Sequence, residues 1–399
     1  MRIAILSDFH LGYERFREDA FKQAKEALES AASEADILLI PGDIFDNRNP
    51  KPDVLAEAIN LFRELSRRDW KARATVSKGA KAYADVPIIA IPGTHERRAQ
   101  DDEDPVDLLH LAGLLIDVSD ATAIVEKGGE KIAVCGLGGI SEERFRDIVR
   151  EKAPKPTDGA FNVLMFHQSV YELLPFSKDF ISLDEFPKGF DLYVNGHIHS
   201  RYEGRIHGSP FLIPGSTVLT QLKDNEQERK GFYIYDTKTR EASFREISCR
   251  EFIVAKIDMN GRKPGEIAES VEGTISNIIS KGSVKPVVRI VLEGRMDDGF
   301  KRMDMKLHAI AKKFKDRAIV EISDKGTDGA EIQIEGARRM NASESISVKD
   351  LGMSIFMEKL QQKKYGLKTN PSELFEALSG DESKEKIVKR TIEKLLEDL

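Results

Sequence analysis

The sequence predicts an α/β fold, a two-sheet β-sandwich flanked by helices, followed by a small α/β domain and a helical C-terminal segment. Three observations lead there. Apolar strand-like runs alternate with helical patterns in the first half and then give way to mostly strands. Near Cys249 the rhythm restarts as strand, helix, strand, helix, strand, strand. Beyond Ala337 a polar stretch leads into patterns that are helical only. The expected divisions are therefore 1–250, 251–336, a linker at 337–349, and helices over 350–399.

At 399 residues there is room for roughly two or three domains, each with a core. The composition, 40% hydrophobic and 32% charged, is that of a soluble globular protein. No apolar run approaches the ~18 residues of a membrane span, and the N-terminus enters a strand with no signal peptide. Cys135 and Cys249 make neither a disulfide framework nor a C-x-x-C metal pair, so the expectation is a cytoplasmic protein. A net charge of -7 excludes general coating of nucleic acid and leaves DNA affinity to local basic patches.

Taken in order, Arg2–Asp8 is a first strand and 20–32 a helix. The run from Ile37 to Ile40 is short, continuous and apolar, the mark of a buried strand, and it delivers Asp43 through Pro41-Gly42. A helix over 54–65 puts Leu55, Ile59, Phe62 and Leu65 on one face. Residues 67–84 show no clear period and read as a loop or helix extension, with Trp70 packing locally rather than stacking on a base. A third buried strand over 87–91 delivers Thr94-His95-Glu96, and Pro105 opens a helix. Strands follow at 132–137, 163–166, 192–194 and 211–214, with a closing hairpin of 231–235 and 243–247. The second domain reads as strands at 252–259, 286–292, 318–322 and 331–335, with helices over 265–279 and 300–314. Ser347 to Asp350 and Asn370 to Glu373 resemble capping boxes. One terminal helix carries Leu351, Ile355, Phe356 and Leu360, and the last carries Ile387, Val388, Ile392, Leu395, Leu396 and Leu399. Small modules bury little apolar area alone, so these faces are expected to bind a partner.

The chemistry lies at strand ends. Of eight histidines, His10, His95, His167, His197 and His199 follow apolar strands, accompanied by Asp8 and Asp43. His110, His207 and His308 do not, and are expected at the surface or in packing. One strand-end histidine is usually structural; five, converging with two aspartates, carry mutually perturbed charges that bound dications would relieve.

Asp8-x-His10, Gly42-Asp43, Gly93-x-His95, His167 and Gly196-His197-x-His199 resemble the calcineurin-like metallophosphoesterases. Asp8-Phe9-His10-Leu11-Gly12-Tyr13, Phe166-His167-Gln168, Pro214-Gly215-Ser216, the small second domain and the helical tail further resemble archaeal double-strand-break repair nucleases of the Mre-eleven type, partners of the Rad-fifty coiled-coil ATPase. That resemblance implies a Mn-dependent DNA nuclease that processes DNA ends, works as a homodimer, and carries a DNA-binding capping domain over 251–336. It implies two Mn ions bridged by Asp43, the first held by Asp8, His10 and His199, the second by His167, His197 and position 94. His95 would face the phosphate as the catalytic group, stabilising charge or protonating the leaving oxygen. The terminal helices would bind the base of the ATPase's coiled coil.

Two positions depart from the pattern. Thr94 stands where the family has asparagine, which offers a longer carbonyl ligand, and Asp46 stands where many relatives have histidine and reads as a turn residue. Arg48, Lys51, Arg97, Arg98 and Arg201 on site-lining loops either hold DNA phosphates or are solvated charges. The basic residues around 301–317 read first as a solvated helix face. Rival readings are an enzyme for small phosphoesters and a DNA-tethering scaffold weakened by Thr94. The chain contains no Gly-x-x-x-x-Gly-Lys-Ser/Thr loop, so any ATP dependence is expected from another protein.

Overall fold

The structure is a computed structural model that describes residues 1–78, 81–97, 103–119, 121–138, 140–152, 154–173, 181–222, 224–281, 285–297 and 299–324. The chain divides into two compact units, Met1–Asp324 and Lys325–Leu399. The expected strand at 331–335, the linker and the helices of 350–399 fall outside the described residues, as does Arg98.

The first unit opens with β1 (Arg2–Ile5), α1 (Arg17–Glu34), β2 (Ile37–Pro41) and α2 (Pro52–Ser66). A hairpin of β3 (Arg73–Lys78) and β4 (Lys81–Asp85) precedes β5 (Ile88–Ile91), α3 (Pro105–Leu111) and β6 (Ile116–Asp117). Then come β7 (Thr122–Lys127), β8 (Glu130–Leu137), α4 (Glu142–Lys152), β9 (Phe161–Phe166) and β10 (Leu192–Asn195). The pairs β11 (Tyr202–Ile206) with β12 (Ser209–Ile213), and β13 (Gly231–Asp236) with β14 (Glu241–Glu246), complete two sheets.

Their strand orders are β14-β13-β1-β2-β5-β6 and β11-β12-β10-β9-β8-β7-β3-β4. Within the first, β1, β2, β5 and β6 run parallel; within the second, β12, β10, β9 and β8 do. Side chains alternate across each strand. Ile37 and Leu39 of β2 face a core shared with Val163, Met165, Leu192 and Val194 of the second sheet. Leu38 and Ile40 face the other way, onto Leu28 of α1 and Phe62 of α2. The central strands are buried on both faces, which explains their unbroken apolar runs.

A third, parallel sheet follows, from β15 (Phe252–Asp258), β16 (Val287–Glu293) and β17 (Ile319–Asp324), with α5 (Pro264–Lys281) and α6 (Leu307–Phe314). It has its own core around Ile267, Val271, Ile290 and Phe314. It is joined to the sandwich by a small cluster of Phe16, Leu219, Leu222, Phe252 and Val287. Arg250 adds a two-pronged ion pair to Asp19 at 2.6 and 2.8 Å.

Several elements differ from expectation. Residues 73–78 and 81–85 are antiparallel strands, not a loop or helix extension. Ala72, Ala74 and Val76 alternate inward, but two alanines give a faint apolar signal. The buried face of α2 is Val54, Ala58, Leu61, Phe62 and Leu65, while Leu55 and Ile59 sit at its margin. The helix expected over 300–314 breaks at Lys306, whose φ of 50° is left-handed, so only Leu307–Phe314 is α-helical. The strands β7 and β11 and the helix α4 were not expected at all. Trp70 packs locally, its indole donating to the Leu65 carbonyl at 3.0 Å. His207 meets the Phe186 carbonyl at 2.8 Å, His110 is buried in α3, and His308 is exposed. Among the described residues no helix is long and apolar enough to cross a membrane.

Candidate metal centre

The carboxyl ends of parallel strands from both sheets meet at one place, where open α/β sheets form their crevices. β1 delivers Asp8 and His10, β2 delivers Asp43, and β5 delivers Thr94 and His95. Across the sandwich, β9 delivers His167 and β10 delivers His197 and His199. Sharp turns are needed to bring these side chains inward. Asp8, His10, Asp43 and His197 all adopt left-handed backbone, with φ of 53°, 48°, 52° and 69°. Such strain costs of the order of 1–3 kcal/mol per residue and gathers at functional sites.

The glycines of the motifs are explained by space. A Cβ at Gly196 would lie 2.1 Å from the Pro41 carbonyl oxygen, and one at Gly93 would lie 2.2 Å from Asp43 Oδ1. Neither loop can approach so closely with any other residue.

Among the described residues, three groups have donor atoms that all lie within 4.8 Å of one another inside each group: Asp8, His10 and His199; His10, Asp43 and His95; and Asp43, His167 and His197. Asp43 belongs to two of them. Thr94 is exposed, with its hydroxyl 3.4 Å from His197 Nδ1. Every residue of the expected constellation is thus brought together in the fold.

The imidazoles are held from behind. His167 Nδ1 donates to the Pro41 carbonyl at 2.8 Å, His10 Nδ1 meets Asp46 Oδ1 at 3.1 Å, and His199 Nδ1 meets Thr220 Oγ1 at 2.6 Å. Ser169 Oγ lies 3.0 Å from His197 Nε2. Asp46 is therefore more than a turn residue. Besides orienting His10, it offers its carbonyl to His95 Nδ1 at 2.9 Å, with its carboxylate 3.8 Å away.

What faces inward is unmatched without a cation. His10 Nε2 and His199 Nε2 lie 3.1 Å apart, their Nδ1 atoms engaged behind by Asp46 and Thr220. Buried Asp8 Oδ2 and His167 Nε2 have no hydrogen-bond partner, although His167 Nε2 is 3.2 Å from Asp43 Oδ2. Orphaned buried donors and acceptors are costly. The set of imidazole nitrogens and carboxylates fits divalent metals of the Mn, Fe or Zn kind.

Electrostatics follow from the same packing. Burial raises the Asp8 carboxyl, and the neighbouring Asp43 charge adds to this. Burial likewise works against Asp43, but the charge and hydrogen bond of His167, with the charges of His10 and His95, together outweigh it and hold Asp43 well below the carboxylate range. Burial opposes protonation of His167, yet Asp43 raises it to about 9. His197 and His199, lacking so close a carboxylate, are lowered by burial to about 4 and about 2.

Sequence reasoning missed the residue beneath the site, Glu96. It is fully buried and accepts the backbone N–H of Gly93 at 2.7 Å, Phe45 at 2.8 Å and Asp43 at 3.1 Å. One carboxylate therefore ties the loops after β2 and β5. Burial and the Asp43 charge push it up to about 8 despite those three donors. Its place next to His95 was the available signal.

Of the basic residues, Arg48 and Arg97 are exposed. Lys51 pairs with Glu14 at 2.9 Å, and the Arg201 guanidinium lies 4.5 Å from the centre of the Phe244 ring.

Comparison with known proteins gives two kinds of match. The model of a family described as calcineurin-like phosphoesterase matches residues 1–201. The chain is also similar to proteins named for double-strand-break repair. The DNA double-strand break repair protein Mre11 of Methanopyrus kandleri is 28% identical over 74% of this chain and 69% of its own length. That of Sulfolobus acidocaldarius is 24% identical, over 74% of this chain and 75% of its own. Double-strand break repair protein MRE11 of Encephalitozoon cuniculi is 28% identical over 71% of this chain, but the match spans about half of that protein, 54%.

Proposed function

The chain belongs to the calcineurin-like phosphoesterase family, and from this we propose that it is a Mn-dependent nuclease cleaving DNA phosphodiesters in double-strand-break repair. The family is metal-dependent, and one observation supports the rest: Asp43, from the first sheet, belongs to one donor group with His10 and His95 and to another with His167 and His197 from the second sheet, while His199 from the second sheet joins Asp8 and His10. Asp8, His10, Asp43 and His199 would hold one cation; Asp43, His167, His197 and the Thr94 hydroxyl would hold the other. Two such cations supply charge that neutralises phosphodiester oxygens and acidifies the attacking water.

The protein's own groups do the remainder. Thr220, Asp46 and the Pro41 carbonyl keep imidazole nitrogens aimed inward. His95 is exposed at the mouth, and its Nδ1–H is held by the Asp46 carbonyl, so Nε2 is left free. Protonated there, and steadied by the Asp46 carboxylate, it donates a proton to the departing oxygen. Arg48, Arg97 and Arg201 are exposed and follow the site-forming motifs along the chain, which suits phosphate contacts. Leu108 and Leu111 on α3, 41% and 58% exposed, give an apolar face of the kind a homodimer would cover. The names of the relatives support DNA as substrate, and the apolar residues that recur in the sequence over 350–399 suit a Rad-fifty-type coiled-coil ATPase.

A single assay with added Mn, offering DNA and a small phosphodiester, tests the reading. Cleavage of DNA and its loss in His95→Ala with Mn content retained is the expected result. Cleavage of only the small ester would replace the nuclease with a small-molecule enzyme. Loss of Mn from His95→Ala would instead make His95 a ligand. For the partner, truncation after Ala337 should spare cleavage and abolish pull-down of the ATPase.

A further inference from the structure

Behind His199 runs a hydrogen-bonded chain that no sequence motif singles out. Thr220 Oγ1, 2.6 Å from His199 Nδ1, donates its own proton to Glu226 Oε1 at 2.7 Å. Glu226 also accepts the amides of Thr220 at 3.0 Å and Leu222 at 2.5 Å, which fixes it within the loop. Lys230 lies 3.6 Å from Glu226 and donates to Ser216 Oγ at 2.9 Å and the His199 carbonyl at 3.2 Å. Glu226 and Lys230 are only 3% and 5% exposed.

The direction of the protons is decisive. A hydroxyl has one hydrogen to give. Because that hydrogen goes to Glu226, Thr220 can only accept from the imidazole, so His199 Nδ1 must carry the proton. Nε2 then keeps a lone pair, pointing into the site 3.1 Å from His10 Nε2 and 4.0 Å from Asp8 Oδ1. A buried acid–base pair is a poor way to gain stability, since apolar residues of the same volume often serve as well or better. Here the pair keeps Glu226 an acceptor.

We propose that Thr220, anchored by Glu226 and Lys230, is a positioning residue that locks His199 in its Nδ1–H tautomer and so presents Nε2 to a divalent cation. Carboxylate-backed histidines gain donor strength in the same way, and the partner behind a ligand commonly changes metal affinity about 10–100-fold. The proposal rests on the two-cation reading above.

The test uses the full chain with Thr220→Val, which keeps the shape and removes the hydroxyl, and Thr220→Ser, which restores it. Nitrogen NMR of the metal-free protein reads the tautomer of His199, and calorimetric titration with Mn reads affinity. The parent and Thr220→Ser should show a single Nδ1–H form. Thr220→Val should show a mixed tautomer and bind one of two Mn ions about 10–100-fold more weakly. Should Thr220→Val not fold, Thr220→Ala carries the same two readouts. A parent-like tautomer and titration in the hydroxyl-free variant would overturn the proposal alone. A parent chain that binds no Mn would overturn the two-cation reading together with it.

Discussion

Thr94 has a shorter reach than an asparagine, and its hydroxyl lies 3.4 Å from His197 Nδ1. On the proposed two-cation reading, Thr94→Asn is therefore expected to tighten the second cation and raise cleavage at limiting Mn; superimposable titrations would show that the hydroxyl already suffices. Glu96 gives a second test. Above pH of about 8, where Glu96 is ionised, Glu96→Gln places an amide NH2 against at least one of three backbone N–H donors, and the expected loss is about 1–3 kcal/mol of stability in denaturant unfolding. At this scale the site was legible where a rare residue type follows an apolar strand, as with His10, His167 and His199. Thr220, Glu226 and Asp46 were not legible. They are common residue types, and their partnership with the histidines exists only after distant loops meet.

Elements were legible in proportion to their apolar contrast. The β2 run Ile-Leu-Leu-Ile-Pro is buried throughout, and it announced itself. The paired strands β3 and β4 rely on alanines such as Ala74, and α4 has one fully buried anchor, Phe145, with only Ile148 and Val149 beside it in a mostly charged helix. The helix α2 shows what an anchored element is worth. Phe62 is fully buried between α2 and the first sheet, so Phe62→Ala should cost about 3–5 kcal/mol by removing packed volume. Chemical denaturation would measure this, with Mn binding by the folded fraction unchanged because Phe62 touches no donor of the centre. A change under about 1 kcal/mol would mean that the core refills around the gap.

For the molecule as a whole, the two-sheet sandwich follows from the alternation of strands and helices, whereas the way the third sheet is attached does not. Besides the small apolar cluster around Phe16, Leu222 and Phe252, its ties are polar contacts between distant residues: Arg250 to Asp19, Arg15 to Glu321, and Arg289 to the Leu222 carbonyl at 3.0 Å. The meeting of both sheets at the metal centre also has a consequence in time. Donors at Asp8 and His10 must wait for His197 and His199, nearly two hundred positions along the chain, and pairings over such distances form late. No half-built sheet offers a complete cage. Mn should therefore leave the rate of refolding unchanged while slowing unfolding, since it stabilises contacts absent from the transition state. Stopped-flow traces with and without Mn would show this in the unfolding limb alone. Acceleration of refolding by Mn would mean that part of the cage closes before the sheets do.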